Sequence, residues 1–151
     1  RALHNHLVGI FLVLAGLQAQ SNLTPGGNRS GHTHRALALA AAMSAGLPLY
    51  QATHAVHSCF VLHEGRILCA CEDIGRHNAL DKAVGCALTE GVPLAECVLF
   101  TSGRVPVDMV RKAIRAGVPV LVSKSMPTVQ SAELAAEYGL QLVCGRKIPK
   151  V

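Results

Sequence analysis

Apolar runs in the second half of the chain alternate with turn-forming residues, in lengths that predict strands and helices. Five short apolar runs predict strands at residues 56–62, 67–71, 97–100, 118–122 and 140–143. Apolar side chains recurring every three or four residues predict helices at residues 76–89, 107–116 and 129–138. The predicted order is two strands, a helix, and then strands that alternate with helices.

The connections between these elements predict how the strands pair. Residues 63–66 form a tight turn with Gly65 at the position that needs a positive φ, so the first two strands form an antiparallel hairpin. Each later strand follows a helix through short connections, which implies parallel pairing and right-handed crossovers. We therefore predict an α/β fold: a three-layer α/β/α sandwich with a mixed five-stranded sheet.

The beginning of the chain is less regular. Residues 34–45 are rich in Ala and Leu and predict a helix that Gly46 and Pro48 end. Residues 21–33 are turn-forming and polar, which predicts a linker. We therefore divide the chain into two parts. The first is an N-terminal segment without an assigned role plus this linker, and the second is an α/β domain; their bounds are 1–33 and 34–151.

One apolar stretch resembles a targeting signal. Residues 7–17 (LVGIFLVLAGL) are followed by small residues. The stretch is too short to span a bilayer, and only Arg1 and two histidines precede it where a signal peptide carries a basic segment. We favour a buried helix over a signal peptide here, and we expect no membrane association.

Composition narrows the choice of partner. Half of the residues are hydrophobic and only 3% are aromatic, so Ala, Val, Leu and Ile must build the core. The formal charge of +5 favours an anionic partner: a nucleic acid, a phosphate-bearing cofactor or an acidic protein. There is no run of Lys and Arg, and aromatic residues are not interleaved with basic ones, so we do not expect nucleic-acid binding.

The six cysteines do not form a regularly spaced framework, which predicts a reduced, cytoplasmic protein. Cys69 and Cys71 are separated by one residue rather than the two or more that are usual in zinc sites. The chain has no HExxH motif and neither the HxE triplet nor the PCxxC pair of zinc deaminases. We expect no metal ion bound by the protein.

Polar segments follow the predicted strands at the edge of the sheet where open α/β sheets bind ligands. Helices that begin there offer free N–H groups and a dipole that favour anions. The hydroxyl, basic and glycine candidates are Gly75, Arg76, Ser102, Gly103, Arg104, Ser123, Lys124, Ser125, Gly145, Arg146, Lys147 and Lys150. Each hydroxyl could instead be an ordinary helix cap, and residues 146–150 could be a loose basic tail. Their convergence on one edge favours a phosphate-rich ligand.

Four segments resemble a known family. Residues 72–82 (EDIGRHNALDK) closely resemble the hallmark EDVGRHNALDK-type segment of the FdhD family of formate dehydrogenase accessory sulfurtransferases. Residues 102–128 resemble its SGRxSxEMVxKAxxAGxPxLxSxSAPT region, and residues 134–143 its closing helix and strand. Residues 53–58 resemble its TGGxHxA stretch, with His54 and Ala55 in place of two glycines.

The resemblance implies a function. Proteins of this family carry sulfur from a cysteine desulfurase to the molybdenum cofactor of formate dehydrogenase, and their fold is similar to that of cytidine deaminases. It implies a cytoplasmic sulfurtransferase that meets both proteins and could form a homodimer. The implied ligand is molybdenum bis(molybdopterin guanine dinucleotide) or a GDP-like nucleotide. The implied binding residues add His57, Asp73, His77, Ile148 and Pro149 to the candidates, the last two within the basic segment 145–150.

One feature of the family is missing. The sulfur-carrying CGxCG-type loop is not found in the sequence, because no cysteine precedes Cys59 and no later cysteine matches. Cys71, beside the basic edge, is the one stand-in for a persulfide-forming cysteine, and we expect it to be structural. The alternative function is a guanine-nucleotide or cofactor-binding module without sulfurtransferase chemistry.

Overall fold

The computed structural model describes Met43 and residues 45–144. The predictions for residues 1–33, for most of the helix at 34–45 and for the basic segment 145–150 lie outside the described residues. Met43 and Ala45 are helical, as predicted, and Gly46 follows with a φ of 81°. The division into two parts stays a prediction.

All five predicted strands are present, with bounds shifted by one or two residues. The strands are β1 His57–His63, β2 Arg66–Asp73, β3 Val98–Thr101, β4 Val120–Ser123 and β5 Gln141–Cys144. The helices are α1 Pro48–Thr53, α2 Arg76–Thr89, α3 Val107–Ala116 and α4 Val129–Glu137, with a 3₁₀ turn at Leu94–Glu96. The bounds of α2 and α3 are as predicted. Helix α1 was not predicted.

The sheet has the mixed topology that the sequence predicts. Its strand order is β2-β1-β3-β4-β5. Strand β1 pairs antiparallel with both β2 and β3, whereas β3, β4 and β5 are parallel. The amino-terminal end of β1 therefore lies beside the carboxyl end of β3, with Cys59 opposite Thr101.

Both faces of the sheet are covered by apolar side chains, as a three-layer arrangement requires. Cys59, Val61 and Leu99 belong to a buried cluster with residues of α2, α3 and α4. Phe60 and Phe100 belong to a second cluster on the opposite face, which Met43 joins. Because side chains alternate along a strand, neighbouring residues of β1 face different layers. This alternation also sends His57 and Ser58 to different faces.

The hairpin turn between β1 and β2 has the predicted geometry. Glu64 and Gly65 both adopt positive φ angles, 49° and 69°. Two consecutive positive φ values are what a two-residue turn needs to match the twist of the strands it joins. Gly65 accepts this conformation without strain, since it lacks a Cβ atom.

The cysteines differ from the reduced state that we predicted. Cys69 of β2 and Cys86 of α2 form a disulfide, and the other four cysteines are free. No spacing pattern predicted this pair, because Cys69 and Cys86 meet only when α2 packs against β2. Of the helices within residues 43–144, none combines the length and the apolar character needed to cross a bilayer.

Candidate functional site

A cleft of about 270 Å³ opens where β1 begins and β3 and β4 end. It is lined by residues of helix α1 and its flanks, of the start of β1, and of the loops after β3 and β4. These residues are Gly46, Tyr50, His54, Ala55, Val56, His57, Ser58, Ser102 and Lys124. It lies at the edge of the sheet that the sequence singled out, since the carboxyl ends of parallel strands are the usual ligand site of this fold class.

Positive charge lies close to His57, one of the residues that line this cleft. A Cβ atom built on Gly103 would lie 2.8 Å from Cβ of Arg76 and 3.5 Å from Nδ1 of His57. Arg76 and His57 therefore approach the backbone closely at a position where glycine is required. Burial, followed by the charges of Arg76 and Arg104, lowers the pKa of His57. The structure thus brings together four of the predicted residues: His57, Arg76, Gly103 and Arg104.

Two polar atoms at this edge lack a partner. The Ser58 hydroxyl and Nε of Arg76 are buried and make no hydrogen bond to any described residue. Ser58 is only 1% exposed, and it lines the cleft. A buried polar group without a partner costs about 1–3 kcal/mol, so such groups are normally satisfied by water or a ligand. Both can donate to the oxygens of a phosphate, so the residues present fit an anionic ligand.

Ser58 and Ser102 hold the two sides of the cleft in register. The Ser102 amide donates to the Ser58 carbonyl at 2.9 Å, and the Ser58 amide donates to Oγ of Ser102 at 2.9 Å. The Ser102 hydroxyl accepts one hydrogen bond in this pair and keeps its own proton for donation. The loop after β3 is therefore fixed to the start of β1 by two hydrogen bonds.

Lys124 brings a cationic side chain to the same cleft from β4. Burial lowers the pKa of its ammonium group, because the charged form loses hydration. Its backbone amide donates to the Thr101 carbonyl at 3.4 Å, which places the β4 loop against the end of β3. Arg76, Arg104 and Lys124 thus lie around one strand edge and not on separate faces.

Comparison with known proteins identifies the family. The family model described as "FdhD/NarQ family" matches residues 13–149. The chain belongs to the FdhD/NarQ family. It is 45% identical over 107 residues to the sulfur carrier protein FdhD of Nocardia farcinica, a match covering 70% of this chain and 38% of that protein. It therefore spans well under half the length of such FdhD relatives.

Solved structures agree with the FdhD assignment. A candidate formate dehydrogenase accessory protein from Desulfotalea psychrophila is 38% identical, with a TM-score of 0.61 over 66% of this chain and 45% of that one. A deaminase/reductase from Thermotoga maritima, diaminohydroxyphosphoribosylaminopyrimidine deaminase/5-amino-6-(5-phosphoribosylamino)uracil reductase, is 21% identical, with a TM-score of 0.50 over 59% of this chain and 29% of that one. The second likeness shows the fold alone. The predicted deaminase-like α/β fold is confirmed.

Asp73 of the FdhD hallmark segment is engaged within the chain. Its Oδ1 accepts hydrogen bonds from the Gly75 amide at 2.9 Å and the Asn78 side chain at 3.1 Å, and its Oδ2 pairs with Lys82 at 2.6 Å. The bond from Lys82, followed by those from Gly75 and Asn78, lowers the pKa of Asp73 to about 2. Asp73 thus holds the turn that starts α2, and its assignment to ligand binding stays a prediction.

Other predicted residues fix the backbone of the loops around the site. The Ser123 hydroxyl donates to the Gly103 carbonyl at 2.9 Å and accepts from the Ser125 amide at 3.0 Å. Ser123 is 2% exposed, so it fixes the position of Gly103 from within the structure. Gly75 directly precedes α2. A Cβ atom on Gly75 would lie 3.3 Å from Nδ2 of Asn78. His77 lies in the first turn of α2.

The free cysteines of the described residues have raised pKa values, because each thiol is at least partly buried. Burial raises the pKa of Cys71, although the charge of Lys82 acts in the opposite direction. Cys59 lies directly opposite Cys71 in the β1–β2 ladder, and burial raises the pKa of its thiol too. A reactive cysteine needs a lowered pKa and access to solvent. Within residues 43–144, no group of three or more His, Cys, Asp or Glu residues could hold a metal ion.

Sequence reasoning did not assign Ser58 or Tyr50 to the cleft. Ser58 carried a signal, since it is a polar residue inside an apolar strand run. A polar residue buried in such a run needs a partner, and none of the described residues supplies one to its hydroxyl. Tyr50 could not be placed, because its position depends on the unpredicted helix α1.

Proposed function

We propose that this chain binds the guanine dinucleotide form of the molybdenum cofactor in the cleft, in the service of sulfur transfer to formate dehydrogenase. The observation that carries the proposal is the pair of buried donors without partners, Ser58 Oγ and Arg76 Nε, at the cationic edge of the sheet. A diphosphate supplies the oxygens that such donors need and compensates the surrounding positive charge. Membership of the FdhD/NarQ family supports the same ligand.

The residues in and beside the cleft have different roles in binding the ligand. Arg76 and Arg104 can grip phosphate oxygens, since guanidinium groups match their geometry. Lys124 is half-buried in the lining of the cleft and brings a cationic side chain that an anion can contact. The molybdenum centre of the bound cofactor is the sulfur acceptor in this scheme. The residues described here hold and orient that substrate.

Calorimetric titration with GDP tests the binding proposal. We expect Arg104→Ala to weaken GDP binding at least about tenfold, because a charge-assisted contact contributes about 1.5–3 kcal/mol. Arg111→Ala is the matched control, since Arg111 is 61% exposed on α3 and pairs only weakly with Asp108 at 3.7 Å. Absence of binding by the unaltered chain, or equal losses in both variants, would reject the proposal.

A second candidate is a binding module without sulfur chemistry of its own. It is favoured by the burial that raises the pKa of all four free cysteines: Cys59, Cys71, Cys97 and Cys144. No CGxCG-type loop occurs among the 151 residues. In this case the chain holds the cofactor and a separate cysteine carries the sulfur.

Intact mass spectrometry separates the two candidates. The chain is incubated with a cysteine desulfurase and cysteine, and the product is measured without reductant. Addition of one sulfur atom supports transfer by this chain, and Cys71→Ala then shows whether Cys71 carries it. An unchanged mass supports the binding module.

The proposal has further parts that are drawn from the family. They are interaction with a desulfurase and with formate dehydrogenase, homodimer formation and a cytoplasmic location.

A further inference from the structure

Glu72 makes an unusual contact for a strand residue. Its Oε1 accepts a hydrogen bond from the Tyr50 amide at 2.8 Å, and its Oε2 accepts one from the Leu49 amide at 3.0 Å. The two partners lie 22 and 23 residues earlier in the sequence. They are the second and third residues of α1. One carboxylate on β2 thus caps the start of a helix elsewhere in the chain.

Helix α1 needs this cap because it has little support of its own. It has six residues, and its N-cap residue, Leu47, offers no side-chain hydrogen bond. Isolated helices of this length are not stable in water, and the first amides of any helix lack partners within it. Pro48 begins the helix and has no N–H, so Leu49 and Tyr50 carry the exposed donors. A carboxylate satisfies both and complements the helix dipole.

The same short helix forms one wall of the cleft. Tyr50 and His54 are four residues apart, and their rings meet edge to face with centroids 5.1 Å apart. Both line the cleft. On β2, Glu72 is the ladder partner of Ser58, whose hydroxyl lacks a partner. Glu72 therefore lies between the sheet floor of the cleft and its helical wall.

We propose that Glu72 is a positioning residue for the ligand cleft. It fixes Tyr50 and His54 through the amides of α1, because each of its carboxylate oxygens accepts a hydrogen bond from one of these backbone amides. The inference rests on the proposed function in taking GDP as the ligand. Under this proposal two residues of segment 72–82 have different roles. Arg76 contacts the anion, and Glu72 positions helix α1, which forms one wall of the cleft.

A second-site rescue tests this role. Glu72→Ala should weaken GDP binding about tenfold, the loss expected when a helix cap is removed from a wall of the site. Adding Leu47→Asp places a new carboxylate at the N-cap of α1, where it can accept from the same two amides. The double variant should bind GDP within about threefold of the unaltered chain. Glu133→Ala, on the exposed side of α4, is the control and should change nothing.

Hydrogen exchange of the amides in residues 49–53 is measured alongside. Glu72→Ala should speed their exchange, and the double variant should slow it again, whether or not GDP is present. Unchanged GDP affinity in a folded Glu72→Ala chain would overturn the inference, as would failure of Leu47→Asp to restore affinity after it restores protection. If the unaltered chain does not bind GDP, the proposed function falls, and unchanged exchange in Glu72→Ala would then reject the link to α1 separately.

Discussion

His57 lies near two guanidinium groups at the start of β1. Burial and then the charges of Arg76 and Arg104 lower its pKa, so the imidazole is neutral near pH 7. A neutral imidazole can accept or donate a hydrogen bond in the cleft without adding to the positive charge. Its protonation state therefore depends on whether an anion offsets the neighbouring arginines.

We predict that GDP raises the pKa of His57. The added negative charge cancels the field of Arg76 and Arg104, so the protonated form becomes less costly. Because the ligand then favours protonated His57, GDP affinity should rise as the pH falls between the bound and free pKa values. An NMR titration of the imidazole signals checks this. The signals of His63, which lies at the far end of β1 and 3.2 Å from Glu96, serve as the internal control. A lowered pKa of His57 would contradict the prediction.

Asp73 gives the fold a sensitivity to acid. Its folded-state pKa of about 2 lies below the ordinary value of 3.8, so it contributes stability that is complete above pH 4 and is lost as the pH falls toward 2. We predict that Asp73→Asn lowers stability at pH 7 and flattens the acid unfolding curve in that window. Circular dichroism at stepped pH measures it. Asp108→Asn, 71% exposed on α3, should leave the curve unchanged.

Two glycines should respond oppositely to the same substitution. A Cβ atom on Gly103 would lie 2.8 Å from Cβ of Arg76, so Gly103→Ala must displace Arg76 or the loop and should lower both stability and GDP affinity. Gly85 lies inside α2 with nothing within 4 Å of its Cβ position. Gly85→Ala should therefore stabilise the helix by about 0.5–1 kcal/mol. Thermal unfolding of both variants measures these changes in stability. A loss of stability in Gly85→Ala as well as in Gly103→Ala would contradict the prediction.

At the scale of elements, the disulfide joins β2 to α2 around the hallmark segment. Cys69 and Cys86 are 17 residues apart, so residues 72–82 lie inside the closed loop. The covalent link limits how far this segment can move in the unfolded chain. It therefore supports the turn that carries Glu72, Asp73 and Arg76.

We predict that reducing this disulfide lowers the free energy of unfolding by about 3 kcal/mol, the value expected for a loop of this length. The Cys69→Ala/Cys86→Ala variant, unfolded by heat, should lose its sensitivity to reductant. Cys71→Ala, which removes an unbonded thiol from the same strand, should remain sensitive. A melting temperature of the unaltered chain that does not change with reductant would refute the prediction.

Local periodicity was enough to predict α2 and α3, because each places apolar side chains on one face over three turns or so. It failed for α1, since the amides of that helix are satisfied by Glu72 from a distant strand. The strand-end rule brought Arg76, Gly103 and Arg104 together correctly. It did not predict the partners that Asp73 has within the structure, which are the Gly75 amide and the Lys82 side chain.

At the scale of the whole molecule, the described residues form one sheet packed on both faces, with the cationic cleft at one edge. The match to the Nocardia relative covers 38% of the length of that protein. Arg76, Arg104 and Lys124 bring positive charge to this edge of the sheet.

The antiparallel direction of β1 has a practical consequence. Strand β1 begins at the edge of the sheet where β3 and β4 end. The three-residue junction 54–56 between α1 and β1 therefore borders the cleft, and it is not paired with any strand. Lengthening or shortening that junction would widen or narrow the opening while the strand register stays intact. We therefore expect the size of ligand that the cleft admits to depend on the length of this junction.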